Sequence, residues 1–197
     1  MKRMNLFLIV ILFGSLTFQV SLVQADDVLD AAEEAIKLYK EGKYSEAAGN
    51  FEYAGQLARQ KRSGQLSDYL PAALDGWEAE EVETQAVAAG MFGVTSAERT
   101  YTKGDSSITV SIMADSPMIQ GMIMMLQNPM IAASQGGELI KVDGRKALLQ
   151  YDAANKSGQV QLVAANQYFI QVEGSQAEKE DVLKYAVGVN YGGLEEK

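Results

Sequence analysis

Between residues 26 and 62 the apolar positions recur at three- and four-residue spacing, the repeat of helices that turn one face inward. The first helix is expected over 28–40, capped by Asp26 or Asp27, with acids in its first turns to suit the helix dipole. Gly42 supplies a turn within 41–44. Ser45 is expected to cap a second helix from Glu46 towards Arg62, with Arg59, Lys61 and Arg62 in its last turn and Gly64 as its stop. Pro71 and Gly76 punctuate 66–76 as a linker. Trp77, the one tryptophan, reads as the core anchor that opens a second unit.

From Trp77 onward the period falls to two. Strands are expected over 78–85, 94–101, 107–113, 138–142, 146–151, 160–164 and 168–172. Lys103-Gly104-Asp105, Asp143-Gly144, 155–158 and Asn166-Gln167 are the turns between them. Ile108, Val110 and Ile112 point one way and Thr109, Ser111 and Met113 the other, as in a half-buried antiparallel strand. A last helix is expected over 177–187, with Ser175 as cap and Glu178 completing a capping box, before a frayed tail at 192–197. The class is α+β: an N-terminal αα-hairpin (26–65), the linker (66–76), then an antiparallel sheet of about six or seven strands with a crossover helix and a C-terminal helix (77–191).

The crossover segment, 116–137, has no charged residue and holds five of the nine methionines. Ser116-Pro117 starts a helix, and Asn128-Pro129 breaks it before a short second turn over 130–133. Gln120, Met124 and Gln127 share one face, and the apolar arc on the other faces is wider than one contact layer needs. Two readings fit. In one, the methionines fill irregular gaps in a core. In the other, Met118, Met122, Met125 and Met130 offer thioethers to a soft metal of the Cu(I) type, or line an adaptable binding groove.

Met1-Lys2-Arg3, the apolar runs 6–13 and 16–23, and Val23-Gln24-Ala25 form the pattern of a secretory signal peptide (1–25) cleaved after Ala25; the alternative is an uncleaved anchor. Loss of Lys2 and Arg3 would take the net charge from −9 to −11. Such acidity argues against nucleic acid or anionic lipid as partner, and no membrane insertion is expected after cleavage. The expected location is periplasmic or secreted. Without cysteine there are no disulfides, and without histidine or cysteine the commonest catalytic bases, nucleophiles and zinc or iron ligands are missing. Glu78, Glu80, Glu81 and Glu83 form an acidic run that reads as a solvated strand edge. No cofactor is expected.

Ala35, Leu38, Gly42, Tyr44, Ala47, Phe51 and Ala54 fall at the spacing of one tetratricopeptide repeat, which the segment 35–54 resembles. The resemblance implies two helices brought close by Ala35 and Ala47, with Phe51 filling the gap between them. One repeat cannot bury both its faces, so the hairpin must pack on its own chain or on a partner. In element order the second unit is similar to PsbP-like exported domains. The expected function is that of a non-enzymatic binding protein. It would take a protein, peptide or apolar ligand through the hairpin and the Met-rich helix, with Tyr39, Tyr44 and Met124 as contact residues; the alternative is the Cu(I)-type binder.

Overall fold

A computed structural model describes residues 26–89, 92–134 and 136–195. The Asp26 carboxylate accepts the Val28 N–H (3.1 Å) and starts α1 (Asp27–Lys40). Gly42, at φ +78°, reverses the chain into α2 (Tyr44–Leu66). Ala31, Ala35 and Leu38 of α1 and Ala47 and Ala54 of α2 are buried, and these small side chains let the two helices lie close.

One antiparallel sheet follows, built of β1 (Glu78–Ala79), β2 (Glu83–Ala89), β3 (Phe92–Lys103), β4 (Ser106–Ala114), β5 (Glu138–Val142), β6 (Arg145–Asp152), β7 (Ser157–Ala164) and β8 (Tyr168–Ser175). Its order is β1-β3-β4-β8-β7-β6-β5, with β2 also on β3. Eight strands thus make a sheet seven positions wide.

Ile108, Val110 and Ile112 of β4, Ile170 and Val172 of β8, and Val160 and Leu162 of β7 belong to the main core. On that face sit α5 (Lys179–Val187), α6 (Tyr191–Glu195) and the segment 66–77. The opposite parity, Met113, Leu148, Val163 and Phe169, receives α3 (Met118–Gln127) and α4 (Pro129–Ser134). The expected α+β architecture is therefore present, with its helical hairpin, antiparallel sheet, crossover helix and C-terminal helix.

Several expectations are corrected. The Lys43 carbonyl accepts the Ala47 N–H (3.0 Å), so α2 begins at Tyr44 and Ser45 lies inside its first turn without capping it. Gly64 does not stop the helix. Glycine in a helix costs about 1 kcal/mol, whereas burying a leucine such as Leu66, here 2 % exposed, contributes about 1.5–3 kcal/mol; burial wins. Arg59, Lys61 and Arg62 consequently lie short of the last turn.

The segment 66–76 is a packed strap. Leu66, Tyr69 and Leu70 share the core with Trp77. The Tyr69 carbonyl accepts from Asn190 N–H (3.0 Å), and the Leu74 N–H donates to Tyr185 Oη (3.2 Å). The strand expected over 78–85 is split into β1 and the start of β2, both paired to β3. Ser175 ends β8 and Gln176 takes φ +54°, so α5 starts at Lys179 with no side-chain cap. The tail is not frayed at 192–195: α6 buries Tyr191 and Leu194, and Arg145 Nη2 pairs with Glu195 (2.6 Å).

Tyr101 lies in this core, its hydroxyl donating to the Pro71 carbonyl (2.5 Å). Burial pushes its phenol from 10.0 up to about 12. The unfolded chain releases this proton near its ordinary value while the folded chain holds it. The stabilisation is therefore whole below that value and is lost as pH rises towards about 12. Burial raises Tyr191 and Tyr185 in the same direction. Urea unfolding followed across this alkaline window should show falling stability, with a shallower fall in Tyr101→Phe.

Candidate functional site

The hairpin leaves apolar residues on a second face. On α1 these are Leu29, Ala32, Ile36 and Tyr39, and on α2 Tyr44, Ala48, Phe51, Gly55 and Ala58. Both sets alternate steps of three and four residues, the spacing of a coiled-coil seam. The seams lie side by side. At one end the Tyr39 and Tyr44 rings meet edge to face with centroids 5.3 Å apart. At the other end Leu29 and Ala58 line one cavity of about 520 Å³.

Leu29 and Tyr39 are each 60 % exposed, Tyr44 64 %, and Ile36 and Phe51 45 %. Phe51 therefore does not fill the gap between the helices. Phe51 follows Ala47 by four residues and precedes Ala54 by three, so it borders the same stripe, but its ring is turned out to solvent while the alanines are buried.

The cavity closes the lower end of the seam against the sheet unit, with Leu66, Tyr69 and Tyr168 as its apolar wall. Lys61 pairs with Asp26 across its rim (2.8 Å), and the Lys61 ammonium holds the Asp26 carboxyl below the usual carboxylate range. Arg62 pairs with Asp115, a non-glycine residue at φ +59° between β4 and α3. Arg62 thereby ties the hairpin to the sheet unit, and α2 also packs on β2 and β3, while Tyr39 and Tyr44 at the other end are exposed.

The Met-rich segment divides between two environments. Met122 is buried with Ile119, Leu126, Ala132, Leu148 and Phe169, and Met125 is partly covered beside them. Met118, Met124 and Met130 face solvent. Of the four candidate soft-metal thioethers, Met122 points into the cluster while Met118 and Met130 are exposed. Met124, the third candidate contact residue, is 67 % exposed beside Gln120 and Gln127. Met118 of the apolar arc stays exposed, as do Met130 and Ile131 on α4, so the sheet does not cover all of the uncharged segment's apolar surface.

A further feature, not singled out from the sequence, occupies the sheet face beside α4. Gln159 Nε2 donates to Gln150 Oε1 (2.6 Å), and Gln161 Nε2 donates to Gln171 Oε1 (3.3 Å). The row ends at Glu173, which accepts from Gln171 (3.4 Å). The alternation of glutamines at 159 and 161 is its signal in the sequence. The acidic run Glu78, Glu80, Glu81 and Glu83 is exposed, in keeping with a solvated edge. Among the described residues no group of three or more Asp, Glu, His or Cys is placed to hold a metal ion.

Compared with protein-family models, curated proteins and solved structures, the chain matches none.

Proposed function

We propose that this chain is an exported, non-enzymatic binding protein whose αα-hairpin takes a protein partner, with the sheet unit as the platform that holds the hairpin up. One observation carries the reading: two parallel apolar seams, on α1 and α2, are open to solvent side by side. Heptad spacing on both helices is the geometry into which the knobs of a further helix fit, so the partner contributes a helical segment. The tetratricopeptide-like spacing supports the same reading, since such a hairpin normally has a neighbour on this face. Met118 and Met124 on α3 offer a second, adaptable contact. Export is inferred from the leader-like residues 1–25, which lie outside the described residues.

A photo-cross-linking amino acid at position 39, in cells producing the full chain, tests this. We expect a discrete protein adduct that Ile36→Glu abolishes, and none from the same probe at Asp105, on the β3–β4 turn. No adduct from position 39 would reject the reading.

A further inference from the structure

We propose that the partner is a second copy of this chain, and that the two copies meet through antiparallel α1 helices about a two-fold axis. The proposal rests on the reading of the hairpin as a partner surface and gives that partner an identity.

The first argument is register. The α1 seam has four residues, and one antiparallel alignment uses all of them. Leu29 lies opposite the second copy's Tyr39, Ala32 opposite its Ile36, and symmetry repeats both layers. The axis then passes level with residue 34, and the small Ala32 receives the large Ile36. Tyr39 of each copy comes to rest on Leu29 of the other, at the mouth of the cavity that Leu29 and Ala58 line.

The second argument is charge. Glu33 and Lys40 each follow a seam residue directly, so they stand on the same rim of α1, on either side of Ile36. Neither has an ionic partner among the described residues, whereas neighbouring Lys37 pairs with Glu34 (3.1 Å) and Glu41 with Lys43 (2.8 Å). In the alignment above, Glu33 of one copy and Lys40 of the other are offset by about 7 Å along the axis, at about 1.5 Å per residue. Side chains on a helix lean towards its N-terminus. In this antiparallel pair the two therefore lean towards each other, and symmetry makes two such bridges. A parallel pair would set Glu33 against Val28 and Lys40 against Ala35, with no charge to meet. The rim selects the antiparallel dimer.

Sedimentation of the purified chain, of Glu33→Lys, of Lys40→Glu and of the double exchange tests the proposal. Both substitutions sit on an exposed rim and leave the core untouched. We expect a dimer for the natural chain, dissociation roughly ten-fold easier in each single variant as attraction becomes repulsion, and recovery in the double exchange. A monomer at every concentration, or single variants that dimerise like the natural chain, overturns it. The adduct from position 39 separates the two levels of inference. An adduct of twice the chain's mass supports the dimer. One joining a different protein rejects the dimer and keeps the partner surface. No adduct rejects both.

Discussion

Replacing Tyr185 by alanine should lower the unfolding free energy by about 4 kcal/mol, within the 3–5 kcal/mol range for deleting a buried aromatic side chain. Its ring is fully buried on α5, 5.6 Å from the Trp77 centroid and 4.4 Å from that of Tyr101. Its hydroxyl is the acceptor for the Leu74 N–H. Alanine opens a cavity between α5 and the strap and leaves that N–H without its acceptor. Tyr185→Phe keeps the packing and removes only the acceptor, so it should cost about 1–3 kcal/mol. Equilibrium urea unfolding followed by the fluorescence of Trp77 reads both. If the alanine variant lost no more than the phenylalanine variant, the strap would not be seated on this ring.

Phe169→Ala should cost about 3–5 kcal/mol through a different layer. Phe169 is fully buried on the face opposite the main core, under Ile119, Met122 and Leu126 of α3. Domains of this size shift their melting temperature by roughly 2–4 °C per kcal/mol, so a fall of about 10 °C is expected. The loss should be local as well as global. Amides of α3 and α4 should exchange faster in the variant, while those of α1 and α2 keep their protection. Unchanged exchange in 118–134 would mean that α3 is held by something other than this aromatic anchor.

Elements governed by neighbouring residues were legible in the sequence. Asp143 and Gly144 take φ +48° and +79°, the left-handed pair that an Asp-Gly hairpin turn requires, and β5 and β6 pair around them. Asn128-Pro129 separates α3 from α4 as the proline requires: Asn128 is at φ −121°, and its side chain accepts the Met130 N–H (3.1 Å). What was not legible depends on distant partners. Gly64 reads as a stop until Leu66 is seen in a core supplied by residues far along the chain. Residues 66–76 read as a linker because prolines and glycines describe the local backbone and not what covers it.

The same limit applies to the candidate site. Tyr39 and Tyr44, expected from sequence as contact residues, are exposed and stacked edge to face. Repeat spacing points Phe51 at the helix gap, but spacing does not reveal that its ring turns out to solvent. The glutamine row was invisible for a related reason: strand parity puts Gln159 and Gln161 on one face, but only the placement of α3 and α4 shows which part of that face stays uncovered.

The strap between hairpin and sheet has a consequence for synthesis. Leu74 is held by Tyr185, 111 residues later, and Tyr69 by the backbone of Asn190. Contacts of such long sequence separation close late in folding. The two helices can therefore wind early and α2 can settle on β2 and β3, which it contacts directly, yet the strap between hairpin and sheet stays open until α5 and α6 have emerged. A chain halted after β8 would leave Leu66, Tyr69, Leu70 and Trp77 without the residues of α5 and α6 that share their core, the form most in need of a chaperone.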